Sequence, residues 1–359
     1  PVAPVPLPLS QEIPAEIPVV PVLSEAETLT ALDQFGGMIT RDGKGEIYGI
    51  SFAYRDFSDA QLSLIKNLTS LRELDLSATQ VTDAGLVHLV DLTRLERLYL
   101  DFTEVSDHGL RQLGSLAQLT QLGLSETAVT NDGLVILKKF RGLRKLKLAS
   151  TAVSDEGLRH LAGLGDLEQL VLDDTRITDD GLAQLAGSRE MRVLGLFGTL
   201  ISDKGMRQVA QFRHLAVLDV GQTSITESGL EEIENLQELE ELYLDGTAIG
   251  DEGIKSVKQI KNLRALGIGS TQVTDEGLKQ LSGMHQLERL VLDDTDVSDR
   301  GIASLVKLPE LRRIGLAATS ITDQGLELLK GLVRLEYIDI SLTGVNESVI
   351  GDFLDEVPG

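Results

Sequence analysis

One threonine recurs every 24 residues without a slip: Thr79, Thr103, Thr127, Thr151, Thr175, Thr199, Thr223, Thr247, Thr271, Thr295, Thr319 and Thr343. No other feature constrains the chain as much, because self-similarity at a period of roughly 20 to 50 residues is the mark of a stacked array rather than one globule. Leu71 to Leu92 shows the unit, LRELDLSATQVTDAGLVHLVDL, which generalises to LxxLxLxxTxVTDxGLxxLxxL. A degenerate unit, GISFAYRDFSDAQLSLI, precedes the first, with Arg55 in the threonine place.

Each half of the unit has its own period. In LxLxx the apolar residues alternate, so Leu74 and Leu76 point inward while Glu73, Asp75 and Ser77 face the other way, as in a short strand. In DxGLxxLxxL the spacing becomes three, which puts Leu86, Leu89 and Leu92 on one helical stripe. Asp83 stands where a carboxylate could cap the first free N–H groups of that helix. One such unit cannot bury its own leucines, so units must stack strand beside strand and helix beside helix. Strands stack about 4.8 Å apart and helices about 8–10 Å apart, so the array bends with its strands on the inside. The fold class expected is therefore α/β, a right-handed horseshoe solenoid with a parallel sheet on the concave face and short helices on the convex face.

The unit LxxLxLxxTxVTDxGLxxLxxL resembles that of leucine-rich-repeat proteins, nearest to the ribonuclease-inhibitor-like and F-box-associated classes and to bacterial proteins with a threonine version. The resemblance covers residues 47–354, and threonine replaces the usual Asn or Cys. It implies an interaction module. It also admits a substrate receptor for ubiquitin transfer, although no F-box-like helical segment is visible.

The expected organisation has four parts: a proline-rich linker at 1–23, an N-terminal helix and hairpin cap at 24–46, the solenoid at 47–342, and a degenerate final repeat closing the core at 343–359. Residues 1–23 hold seven of the nine prolines and favour extended conformations. They read as a spacer or as a ligand for a proline-reading domain. Ser24-Glu25-Ala26-Glu27 reads as a capping box opening a helix to about Gln34. Gly36-Gly37 ends it, and two short strands flank the turn at Arg41 to Gly45. At the far end Val349, Ile350, Phe353 and Leu354 can close the core. The chain opens at Pro1 with neither an initiator Met nor a signal sequence, so removal of an upstream segment is expected; the proline-rich stalk slightly favours an extracytoplasmic protein, or one tethered to a membrane through that segment, over a cytoplasmic one.

Charge narrows the partner. A formal charge of -23, from 56 acidic against 33 basic residues, disfavours nucleic acid and anionic membrane surfaces. No apolar run reaches the roughly 18 residues of a membrane span. With no cysteine, thiolate metal sites and cysteine nucleophiles are excluded. His88, His108, His160, His214 and His285 fall in outer turns and helices without metal-site spacing. One Asp per repeat is far short of the roughly six oxygens calcium takes. No phosphate loop, nucleophile elbow or dinucleotide fingerprint occurs. No cofactor, metal or catalytic residue is expected, and the chain reads as non-enzymatic.

The recurrent polar residues have structural explanations. The threonine hydroxyls should bond backbone carbonyls of neighbouring turns. The glycines of DxG, Gly85 to Gly325 in eleven consecutive repeats, suggest close backbone approach between turns. Information lies instead in the strand-face positions, four per unit. Six of the chain's thirteen aromatics fall there: Tyr54, Tyr99, Phe102, Phe197, Tyr243 and Tyr337. Twelve acidic residues meet five basic ones, Arg97, Lys145, Lys147, Arg289 and Arg313. Exposed aromatics make binding anchors, and spread carboxylates suit a long basic ligand. The contact residues expected are Tyr99, Asp101, Phe102, Asp173, Phe197, Asp219, Tyr243 and Asp245. Charge reversal of Asp101, Asp173 and Asp245 should then remove binding without loss of stability. The expected role is a monomeric scaffold for a basic protein or peptide; carbohydrate or cell-surface binding is the alternative.

Overall fold

The computed structural model describes residues 24–356. The linker expected at 1–23 lies outside them. Fourteen strands form one open sheet in strict chain order. Strand β1 (Met38–Arg41) pairs antiparallel with β2 (Ile47–Ser51), and every later pairing is parallel. From β3 (Glu73–Asp75) and β4 (Arg97–Tyr99) onward each strand is three residues long, the last being β14 (Tyr337–Asp339). Each strand residue pairs with the residue 24 positions on, as in Leu74 with Leu98 and Leu290 with Ile314. The repeat length therefore sets the sheet register.

The opposite side of each coil carries a short helix, such as Asp203–Val209 or Asp275–Leu281, or a 3-10 turn such as Gly85–Leu89. Strand and helix leucines meet in one continuous core: Leu74, Leu76, Val81, Leu86, Leu89 and Leu92 are all fully buried, and their equivalents follow in each turn. At about 25 cal/mol per Å² of apolar area, this shared core is what makes isolated units unstable and the stack stable. Helix Glu25–Asp33, opened by a reciprocal capping box between Ser24 and Glu27, covers the front. Phe52 stacks on Phe57 at 3.9 Å and Phe35 meets Phe57 edge-on, filling the space beneath it. At the other end helix Glu347–Glu356 buries Phe353 and packs Val349 and Ile350 on the core. The side chain of Leu354 is outside the described set.

Three local readings need correction. The threonine hydroxyl does not reach a neighbouring turn; in all twelve copies it donates to the carbonyl three residues back in its own turn, as Thr175 does to Leu172 at 2.5 Å. The reason is the residue before it. That position has positive φ in every turn from Tyr54 to Leu342, and only Gly198 and Gly246 are glycines there. A left-handed residue folds the chain back tightly enough for the hydroxyl to latch its own strand. Replacing the buried Thr175 by the isosteric valine should cost about 1–2 kcal/mol, the usual loss when a buried hydrogen bond is deleted, read from the urea midpoint at unchanged m-value. No shift in the midpoint would show the latch to be inert.

The second correction concerns Asp of DxG. The helix cap is the hydroxyl before it: Ser106, Thr178, Ser202, Thr226, Thr274, Ser298 and Thr322 each accept an N–H two residues on. The aspartate instead ties its turn to the next. Asp179, for example, accepts both the N–H and the hydroxyl of Ser202, at 2.8 and 2.7 Å. Thirdly, the following glycine clears room for that carboxylate rather than for backbone. A Cβ on Gly229 would lie 2.6 Å from Asp203 Oδ1, and eight further glycines of the series meet the Asp of the preceding turn in the same way.

Candidate binding face

Four residues per turn line the strand side: those equivalent to Glu73, Asp75, Ser77 and Ala78. They differ in what the backbone does with them. Side chains at the first two stand on the strand. The third begins the turn, and the fourth is the left-handed residue whose side chain tips away from the core. That last geometry explains why Tyr54 and Phe102 are 78% and 55% exposed, while Tyr99 and Tyr243, on the strand itself, are only partly exposed.

The eight expected contact residues fall into two groups. Tyr99, Asp101 and Phe102 surround a hollow of about 580 Å³, together with Tyr54, Asp75, Ser77 and Lys147. Tyr99 donates its hydroxyl proton to Gln121 Oε1 at 2.6 Å, and burial with Glu73 nearby pushes its pKa up. The second group runs along the sheet from Asp173 to Asp245. Asp219 accepts the N–H of Gly221 in its own turn at 3.0 Å. Tyr243 donates to Glu241 at 2.6 Å and accepts from Arg289 at 3.3 Å; burial and the Glu241 carboxylate push its pKa up to about 12. The Phe197 ring lies over Gly221, where a Cβ would come within 2.9 Å of it.

The aspartates at the third position are not free of the scaffold. Asp101 is 8% exposed and accepts the N–H of Ser125, one turn on, at 2.8 Å. Asp173, Asp245 and Asp293 do the same for Phe197, Gly269 and Ala317, at 3.1, 2.8 and 2.8 Å. Each lies against a glycine in the next strand: Gly123, Gly195, Gly267 and Gly315. A Cβ on Gly195 would stand 2.6 Å from Asp173 Oδ1, and one on Gly315 would stand 2.7 Å from Asp293 Oδ1. The pairing is one to one along the chain. Where the third position is Ser77, Ser125, Ala149, Phe197, Gly221, Gly269 or Ala317, the next strand carries Tyr99, Lys147, Val171, Asp219, Tyr243, Val291 or Asp339 instead of glycine. Charge reversal of Asp101, Asp173 and Asp245 therefore cannot leave stability untouched: a lysine there cannot accept the N–H that the carboxylate accepted and has no room beside its glycine. Sequence reasoning missed this, although an Asp followed 22 residues later by Gly was visible four times.

Burial raises the pKa of Asp101, Asp219, Asp245 and Asp293. It lifts Asp173 furthest, to about 6, with the charges of Asp219 and Asp174 adding to burial and the Phe197 hydrogen bond opposing it. Asp245 also feels Asp219 and Asp293. The face thus carries a run of half-buried carboxylates that repel one another and are held short of full solvation. A cation laid along them relieves both penalties. Arg289 and Arg313, adjacent in the sheet, interrupt the acidic run near its end and line a smaller hollow of about 220 Å³ with Tyr337. Among the described residues no cluster of three or more His, Asp or Glu is placed to hold a metal, and no helix is long and apolar enough to cross a membrane.

Comparison with known proteins agrees with this geometry. A family model described as a leucine-rich repeat region matches residues 176–356, just over half of the 359, and a second leucine-rich-repeat model matches residues 67–90. No curated protein matches the chain. Among solved structures, the chain is similar to an internalin (inlF) from Listeria monocytogenes, with 23% identity over 88% of this chain and 94% of that one and a TM-score of 0.65. It is also similar to a leucine-rich-repeat protein of Leptospira interrogans, with 16% identity over 90% and 92% of the two chains and a TM-score of 0.54. At these identities the likeness is one of fold.

Proposed function

Since this chain belongs to the leucine-rich-repeat family, we propose that it is a non-enzymatic scaffold that binds a protein or peptide of basic character across its concave face. Tyr99, Asp101, Phe102, Asp173, Phe197, Asp219, Tyr243 and Asp245 are the proposed contacts. The observation that carries the reading is the hollow of about 580 Å³, where the exposed rings of Tyr54 and Phe102 flank the half-buried Tyr99 and the buried Asp101. An apolar anchor beside a desolvated carboxylate is the arrangement in which binding energy concentrates. The aspartates beyond it lengthen the acidic track. Their scaffold role does not remove them from recognition: one oxygen holds a backbone N–H, and the charge remains for a ligand. The same reading makes the chain a monomer, because a net charge of -23 sets copies against one another.

Selection of random dodecapeptides on the immobilised protein tests the proposal. The expected result is enrichment of sequences that combine Lys or Arg with an apolar side chain, and a loss of affinity of about tenfold or more for Tyr54→Ser/Phe102→Ser, the scale of a lost aromatic anchor. Both residues are exposed, so the variant should keep the wild-type melting curve. Enriched peptides without basic residues, or ones that bind the variant as well as the wild type, would overturn the reading.

A further inference from the structure

The outer side of the solenoid has a feature that the concave face does not explain. Helix Gly133–Lys139 and helix Asp155–Leu158 belong to adjacent turns, and where they end a hollow of about 400 Å³ is lined by Lys138, Arg141, Arg159, His160, Gly163 and Leu164. No carboxylate lines it, in a chain where acidic residues outnumber basic ones 56 to 33. Elsewhere on the outer side Lys204, Arg207, Lys255 and Lys279 each reach an Asp or Glu. Among the described residues Lys138, Arg141 and Arg159 stand in no such pair. Glu156 feels the charge of Arg159 without forming an ion pair with it, so the three cations share no paired carboxylate among the described residues, and an anion that joins them relieves their mutual repulsion.

His160 supplies an independent observation. Its Nδ1 is buried with no hydrogen-bond partner, one of only two such side-chain atoms among the described residues. Burial, then Lys138 and Arg159, hold its pKa below the ordinary histidine range, against the opposing pull of Asp132. A neutral ring hides a bare lone pair more cheaply than a proton with no acceptor. The proton therefore sits on Nε2, which leaves the ring one N–H donor, and His160 is a lining residue of the hollow.

We propose that this hollow is a second binding site, for a tetrahedral oxyanion of the phosphate or sulfate kind. A divalent ion with four oxygens can take the two guanidinium forks, the Lys138 ammonium and the His160 N–H together, whereas a carboxylate has only two oxygens and one charge. A nucleic acid is disfavoured, because the chain's overall charge repels a long polyanion while barely opposing a small one. The group can be a free ion or a substituent on a sugar, and the chemistry is the same.

His160 is a built-in reporter. Proton NMR of the imidazole Cε1–H signals across pH 5 to 8, with sodium sulfate added against sodium chloride at equal ionic strength, should show the His160 pKa rising while His88, His108, His214 and His285 hold still. Sulfate keeps its charge over that range, so the ligand itself does not titrate. Calorimetry should show affinity about tenfold weaker in Arg141→Gln/Arg159→Gln, the loss of charge-assisted contacts. A parallel titration with a sulfated disaccharide separates the sources: a response to sulfate alone supports a free-ion site, and a response confined to the disaccharide supports a sugar-borne group. No His160 shift with either probe, or an equal response from the double variant, would overturn the proposal. The substituted arginines are exposed, so circular dichroism should show an unchanged fold.

Discussion

Replacing Gly195 by valine should destabilise the protein by about 2–3 kcal/mol, even though valine suits a strand and stands at this same position in two other turns, as Val171 and Val291. The new side chain meets the Asp173 carboxylate, which now rests where a Cβ would sit 2.6 Å from Oδ1. Driven off, the carboxylate gives up the N–H of Phe197, and a half-buried acceptor and a turn N–H both lose their partner, each worth about 1–3 kcal/mol when left unmade. If that account is right, the damage depends on the aspartate. Asp173→Ala alone should cost about 1 kcal/mol, and Asp173→Ala/Gly195→Val should be more stable than Gly195→Val, because the double change recreates the Ala149 and Val171 pair found one strand earlier. A double-mutant cycle from urea unfolding reads the coupling directly. Additive losses would mean that the carboxylate and the glycine do not share one site.

That pairing marks where the sequence can be read and where it cannot. Alternation in LxLxx places Leu74 and Leu76 in the core, and the three-residue spacing does the same for Leu86, Leu89 and Leu92. Both rules depend only on local geometry, which the repeat copies in each turn. Asp101 obeys the alternation too, in that its side chain leaves the core. What alternation does not contain is the left-handed residue at Phe102, which turns the chain so that the carboxylate swings over the next strand and finds the N–H of Ser125. The partner lies 24 residues away and the space for it 22 residues away, at Gly123. A contact of that kind shows in a sequence only through correlated choices, here glycine wherever the preceding turn has aspartate. The Asp of DxG was misread for a similar reason. A carboxylate beside a helix start suggests a cap, but Thr178 is one residue nearer and takes that role, leaving Asp179 for Ser202 of the following turn. The greater exposure of Tyr54 and Phe102 than of Tyr99 and Tyr243 likewise goes with the positive φ of the first two, which alternation does not show.

Acidification from pH 7.5 to 5 should weaken capture of a basic peptide while leaving the fold as stable or more so. The argument runs through Asp173, whose pKa is lifted from the ordinary 3.8 to about 6 by burial and by the neighbouring carboxylates. Between those two values the folded protein holds a proton that the unfolded chain has released. Stability from this group therefore falls as pH rises through the window and is recovered as pH drops, the reverse of a carboxylate held by a salt bridge. Binding has the opposite sign. A cation on the concave face interacts with the charged form, so it must expel that proton, and below about pH 6 the expulsion opposes binding. Protonating one carboxylate that takes part in a charge-assisted contact worth about 1.5–3 kcal/mol should lower affinity by roughly tenfold or more. Asp173→Asn separates the two effects: its amide oxygen can still accept the Phe197 N–H, but no charge remains to titrate. The variant should bind as weakly at pH 7.5 as at pH 5, with the drop across that range much reduced. Calorimetric titrations at both pH values, beside thermal melts in the same buffers, decide the matter. Affinity that stays constant on acidification, or that falls in step with the melting temperature, would mean that the Asp173 charge has no part in holding the partner.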